Sequence, residues 1–406
     1  MKIALVNKFF YYRGGSETYY FNLASALKKE GVEVSYFAMN SPQDLKTEDN
    51  KYFVSHKDYN GATSIFQKLK MTLSLNYSKE TYRNMMRFLT DKKPDFVLLN
   101  LINKQITFSV VNAIEDFNKK YSANIKTLYF CHDMSPVCPD YLCLNNQCEI
   151  CEECFNHNFK QCLKKSCIDG SRLKSFLGYY EAEYIYKHKY YERIDGLLVA
   201  SEFQKQLLLK SNDIKNRIFV VNHMLPPDFV YLCNIKNSDY YLYLGRIAKE
   251  KGLSTLCEAF KLNKLSLKIV GDGDILASLI QKYHSCTNIE FVGSIHHDQI
   301  EDFIDGAKAV IIPSEWYEVG PYSAYEALGR GKPLIVSDSG ALPFRIKDNG
   351  FVFKTKNVES LNQAVSKIEE MSESEYIDLC EKAYKSSFEY DASKNAKILI
   401  YLFKSL

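Results

Sequence analysis

Short apolar runs of strand length recur along the chain, and between them the apolar positions change to helical spacing. KIALVN at 2–7 is a continuous apolar strand pattern. A loop holding Gly14 and Gly15 follows, and Thr18 to Lys29 then carries apolar residues at helical spacing with Gly31 as its stop. VEVSYFAM at 32–39 alternates as a second strand. Strand, glycine loop, helix and strand in that order make a βαβ unit, the building block of a parallel sheet. DFVLLN at 95–100, IKTLYF at 125–130 and GLLVAS at 196–201 extend the series, with helical patterns between them. A second series starts near Tyr240: YLYLG, LKIVG, IEFVG, AVIIPS and PLIVS, again alternating with helices. The pattern predicts an α/β protein of two Rossmann-like doubly wound domains. Their expected bounds are 1–225 and 239–390. A linker at 226–238 gathers Pro, Asn and Asp, and an amphipathic helix over 391–406 is expected to cross back to the first domain.

A chain of 406 residues holds two domains with separate cores, and the net charge of +3 gives no ground for a nucleic-acid partner. The N-terminus lacks a signal-peptide layout, and no run of about eighteen apolar residues occurs. A cytoplasmic protein with mostly reduced cysteines is expected.

Candidate chemistry sits at the ends of the strands. Gly14-Gly15, between a strand and a helix, suits a phosphate at the helix start; a tight turn is the competing reading. No G-x-G-x-x-G follows the first strand and no Walker A pattern occurs, which disfavours a dinucleotide enzyme. Arg246 and Lys251 follow the first strand of the second domain, where together they suit the charge of a diphosphate; a pair of solvated surface charges is the competing reading. His132-Asp133 ends another strand. PSEWYEVGPYSAYEALGRGKP at 313–333 places Glu318 and Glu326 eight positions apart, with a Gly-Pro break between them.

In this order the motifs resemble those of the retaining GT-B glycosyltransferases of family 4, also called group 1. Gly14-Gly15-Ser16-Glu17 looks like the family's G-G-x-E loop. Gly245-Arg246 to Lys251-Gly252 looks like its G-R-x-x-x-x-K-G, Gly271-Asp272-Gly273 its G-D-G, and Glu318 with Glu326 its E-x7-E. Gly331-Lys332-Pro333 and Gly340 match the segment that follows. Two departures stand out: Ala341 and Phe344-Arg345 replace the usual Gly and Glu after Gly340, and Pro321 removes one backbone donor.

The resemblance implies two domains facing across a cleft. It implies transfer of a sugar from a nucleoside diphosphate sugar to a glycan or lipid-linked acceptor, with retained configuration, in cell-surface polysaccharide synthesis. Donor contacts fall to Gly15, Gly245, Arg246, Lys251, Glu318, Gly320, Tyr322 and Glu326. Glu326 would accept hydrogen bonds from the ribose hydroxyls. Reaction-centre roles fall to His132, Glu318, Arg246 and Lys251. The cations do the work of a metal, so no metal is expected in catalysis. A sugar-nucleotide epimerase of the same fold, or a catalytically degenerate scaffold, is the alternative.

Two features stand outside those motifs. Eight of the twelve cysteines lie between Cys131 and Cys167, which marks 138–167 as a Cys-rich insertion. Cys148, Cys151, Cys154, Cys162 and Cys167 have spacing that admits a structural zinc. Free thiols or disulfides are a second reading, and an iron–sulfur cluster a third, disfavoured by the missing fourth Cys and Pro. Residues 68–93 hold seven basic and two acidic residues interleaved with Met, Leu and Phe. This segment either lies on the cytoplasmic face of the inner membrane or packs on its own domain.

Overall fold

A computed structural model describes residues 1–56, 76–214, 217–233, 235 and 239–406. The chain divides into two compact units, one of Met1–Pro227 with Ala392–Leu406 and one of Asp228–Asp391.

The first unit is built on a six-stranded sheet. Its strands are β1 (Lys2–Val6), β2 (Glu33–Phe37), β3 (Phe96–Leu99), β4 (Lys126–Cys131), β5 (Gly196–Val199) and β6 (Ile218–Val220). Their order is β2-β1-β3-β4-β5-β6, and every pairing is parallel. Ile3 to Val6 of β1 are wholly buried, the mark of a strand covered by helices on both faces. The second unit repeats the plan with β7 (Tyr240–Leu244), β8 (Leu267–Val270), β9 (Ile289–Gly293), β10 (Ala307–Ile312), β11 (Leu334–Ser337) and β12 (Gly350–Phe353). Their order is β12-β11-β10-β7-β8-β9, again all parallel.

In each sheet the chain winds outward from one strand and then restarts on that strand's other side. The restart lies between β1 and β3 in one sheet and between β7 and β10 in the other. Loops leaving such neighbours part in opposite directions and open a crevice at the carboxyl ends of the strands. The edge strands β6 and β12 do not stand out in the apolar pattern. They are three and four residues long, and no residue of β6 is fully buried.

The helix Ala392–Lys404 belongs to the first unit although 164 residues of the second precede it. Its Ser393 hydroxyl donates to Glu30 Oε1 at 2.6 Å, and the Phe403 ring meets Phe96 at 4.6 Å. The basic segment 68–93 is described only from residue 76, so 68–75 lie outside the described residues. Its helix Lys79–Lys92 turns Met85, Phe88 and Leu89 wholly inward. That apolar face therefore serves the core of its own unit and is not presented to a bilayer.

Replacing Phe403 with Ala removes a buried ring from this seam. The variant is expected to lose about 3–5 kcal/mol of unfolding free energy, read from the urea midpoint by circular dichroism.

Candidate active site

In the second unit, the loops after β7 and β10 carry the charged residues. Lys251 ends the loop after β7, and Gly252 beside it has φ +71. A Cβ on Gly252 would stand 1.8 Å from the Pro313 carbonyl oxygen, so only glycine lets the two loops meet. Across that contact the Lys251 ammonium donates to Glu318 Oε1 at 2.5 Å. The Ser314 hydroxyl and the Trp316 indole N–H reach the same oxygen at 2.7 and 2.9 Å. The ammonium also lies over the Trp316 ring, 5.0 Å from its centre.

Glu318 is 4% exposed. Burial alone would raise its carboxyl, but the Lys251 charge and the three hydrogen bonds prevail and hold it below the usual range. A third segment closes over it. Gly340, at φ +64, has no room for a Cβ, which would stand 2.5 Å from both N and O of Glu318, and Ala341 N–H donates to the Glu318 carbonyl at 2.7 Å.

Pro321 caps the helix Tyr322–Gly329, which carries Glu326. Glu326 is half-buried, and among the described residues its carboxylate takes no hydrogen bond or ion pair. Burial, aided by the charge of Glu301, pushes its pKa up to about 7. An unpartnered carboxylate poised near neutrality is a vacant acceptor for hydroxyl donors. Arg246 is exposed and paired with Glu250. Gly245 leaves β7 and donates its N–H to Val270 O at 3.0 Å. Gly320 lies on the loop before Tyr322, whose ring meets Tyr325 at 5.9 Å. Arg345, one of the departures from the family pattern, is buried beneath this loop, with Nη2 3.4 Å from the Val319 carbonyl.

In the first unit Gly14 is the N-cap of the helix Gly15–Lys29 and supplies no side-chain cap, so Gly15 opens a helix with bare first-turn N–H groups. His132 follows β4 and is stacked on Phe130 at 4.5 Å, with His223 at 5.5 Å. Burial, then the neighbouring His223, holds the His132 pKa well below its ordinary value, so the ring is neutral. The neutral ring donates Nε2–H to Asn100 Oδ1 at 3.0 Å, which leaves Nδ1 a buried acceptor without a partner among the described residues. Ser201 is an N-cap, accepting from Gln204 N–H.

The Cys-rich insertion is a knuckle with one antiparallel bridge, Leu144 to Ile150. Its thiols meet in small sets: Cys138 with Cys143 and Cys154, and Cys162 with Cys167. Among the described residues no such set is arranged as a formed metal site.

Sequence reasoning assigned no role to Asn100, His223, Ser314 or Trp316. Asn100 and Ser314 stand at strand carboxyl ends, a position that signals a site; nothing local marks His223.

Residues 13–229 match the family model for Glycosyltransferase Family 4, and residues 234–386 that for Glycosyl transferases group 1. The putative teichuronic acid biosynthesis glycosyltransferase TuaC of Bacillus subtilis is 30% identical over 170 residues, 41% of this chain and 42% of that one. The O-antigen biosynthesis glycosyltransferase WbnH of Escherichia coli is 30% identical over 192 residues, 46% of this chain and 53% of that one. The chain thus spans about half the length of these curated relatives. Sucrose-phosphate synthase from Thermosynechococcus elongatus superposes with a TM-score of 0.70 at 17% identity, covering 100% of this chain and 98% of that one. HepE of Anabaena, solved with UDP and glucose, gives 0.66 at 12% identity, covering 100% of both.

The raised Glu326 pKa has a sign that can be checked. The native carboxyl holds its proton up to pH about 7, whereas the unfolded one releases it near 4.5. Stability is thus lost as pH rises through that window, by at most about 3 kcal/mol before partial exposure is discounted. Glu326→Gln is expected to be more stable than wild type at pH 8 by about 1–3 kcal/mol and equal to it near pH 4, measured by urea denaturation at both pH values.

Proposed function

The chain belongs to glycosyltransferase family 4, with that family's GT-B fold, and on that premise we propose that it transfers a sugar from a nucleoside diphosphate sugar with retention of configuration. The observation that carries this reading is the buried Lys251–Glu318 pair with the vacant Glu326 carboxylate eight positions on, both at the carboxyl ends of strands flanking the β7–β10 restart.

Breaking the anomeric C–O bond builds negative charge on the departing diphosphate. Lys251, its ammonium fixed by Glu318, meets that charge with no reorganisation at the moment of reaction. Arg246 adds a second cation by exchanging Glu250 for a phosphate oxygen. In the second unit the Gly245 turn admits that anion closely; in the first, the helix start at Gly15 offers N–H groups suited to an anion. Glu326 grips the ribose diol through both carboxylate oxygens. Gly320 and Tyr322 line the sugar side of the second unit; in the first, Nδ1 of neutral His132 is an acceptor suited to a hydroxyl. Charge neutralisation comes from side chains, so the reaction proceeds without a metal. The acceptor is a glycan or lipid-linked glycan of cell-surface polysaccharide synthesis. This reading is supported by teichuronic acid and O-antigen enzymes among the relatives. No helix among the described residues is long and apolar enough to cross a membrane. A cytoplasmic enzyme attached at the membrane face suits such an acceptor.

The test is a donor panel of UDP-, GDP-, dTDP- and ADP-sugars, with and without EDTA, read as released nucleotide. One donor is expected to turn over insensitively to EDTA, and Lys251→Met is expected to lower kcat about 10²–10³-fold. Absence of both release and nucleotide binding would leave only a degenerate scaffold. Affinity for the accepted nucleotide sugar is expected to be about tenfold weaker at pH 6 than at pH 8, because only ionised Glu326 grips the diol. A nucleotide sugar has no phosphate titrating in that range, and Glu326→Gln should flatten the profile in calorimetric titration.

A further inference from the structure

The helix Arg172–Lys187 of the first unit is reversed in its amphipathicity. Its buried positions are Ser175, Gly178, Glu181 and Ile185, and only the last is a large apolar residue. Gly178 lies against the knuckle, where a Cβ would stand 2.4 Å from the Ile168 side chain. The opposite face carries Leu173, Phe176 and Tyr180, which are 70%, 46% and 46% exposed. They recur at i, i+3 and i+7, one stripe of a helix. The rings of Phe176 and Tyr180 lie nearly parallel, 6.4 Å apart. A contiguous apolar stripe aimed away from the core marks a surface that is covered by something else.

Charges on this helix and on the neighbouring helix Lys160–Lys165 point to the covering. Lys160, Lys164 and Arg172 are exposed and make no ion pair among the described residues. Residues 160–189 hold seven basic and three acidic residues. All three acids are engaged: Asp169 pairs with Lys174 at 2.7 Å, Glu181 is buried and accepts from Lys104 N–H at 3.2 Å, and Glu183 pairs with His157 at 3.2 Å. An apolar stripe bordered by unpaired cations complements an anionic bilayer, which offers acyl chains and phosphates side by side.

We propose that this helix docks the protein on an anionic lipid bilayer. Leu173 and Phe176 enter the headgroup boundary, and Lys160, Lys164 and Arg172 sit on lipid phosphates. The contact of Glu181 with Lys104, on the loop that leaves β3, sets the middle of the helix at the carboxyl end of the first sheet. His132 stands at that same end, on the loop after β4, so docking would bring a lipid-linked acceptor to the reactive side of the unit. The purpose rests on the proposed transfer reaction; the binding does not, because it is measured without donor or acceptor.

The full-length protein is sedimented with vesicles of phosphatidylcholine alone and of phosphatidylcholine with phosphatidylglycerol. Wild type is expected to bind the mixed vesicles and to be released by about 0.5 M salt, which screens the headgroup charge. Leu173→Ser with Phe176→Ser should weaken that binding at least about tenfold. Lys160→Glu, Lys164→Glu and Arg172→Glu together should abolish the preference for phosphatidylglycerol. Both variants alter exposed side chains and are expected to keep the wild-type melting temperature, which separates lost docking from lost fold. The proposal is overturned if wild type ignores the mixed vesicles, or if the Ser variant binds them as well as wild type does. It is also overturned if light scattering shows a wild-type dimer that the Ser variant converts to monomer, since the stripe would then join two copies of the chain.

Discussion

A lysine and a glutamate meeting in a nearly water-free pocket constrain the second unit more than any other contact. Two charges cannot be buried there unless each is matched, and Glu318 is matched by three donors on one oxygen. The match requires the loops after β7 and β10 to approach to backbone contact, which Gly252 permits. It also requires the Gly340 loop to sit on the Glu318 peptide. The glycines scattered through the motifs are thus the steric terms of one electrostatic arrangement. Lys251 is held in place by Glu318, which Ser314 and Trp316 hold in turn.

The two acidic residues of the opening motif have opposite environments. Glu318 is saturated and kept ionised; Glu326 is desolvated, unpartnered and held near neutrality. A carboxylate without partners costs stability in the empty protein and regains it only with hydroxyl donors in place. That trade is the ordinary one of a binding site, in which ligand completes what folding leaves open.

How much of this was legible in the sequence depends on whether the signal was local. The central strands were legible because continuous apolar runs can only be strands buried on both faces. The edge strands β6 and β12 were not, since short half-covered strands need no such run. The E-x7-E and G-R-x-x-x-x-K-G motifs marked Glu318, Glu326, Arg246 and Lys251. Nothing in them told that Lys251 and Glu318 touch while Arg246 turns to Glu250, because that is decided by the distance between two loops. Asn100 and His223 converge on His132 from 32 residues before it and from the far side of β6, beyond the reach of any window. The cysteine spacing did not tell which thiols meet: Cys138 with Cys143 and Cys154, and Cys162 with Cys167. In the basic segment 68–93 the described residues Met85, Phe88 and Leu89 face inward, and an exposed apolar stripe lies on Arg172–Lys187, whose average composition hides it.

The return of Ala392–Leu406 to the first unit has a consequence for synthesis. A ribosome delivers the chain from the N-terminus, so the first sheet emerges early but lacks the last helix that seals Phe96. The second unit is uninterrupted in sequence and has left the exit tunnel before residues 392–406 do. The first unit, begun earlier, is therefore finished after the second, and until the helix Ala392–Lys404 arrives its open seam is a natural place for a chaperone to hold.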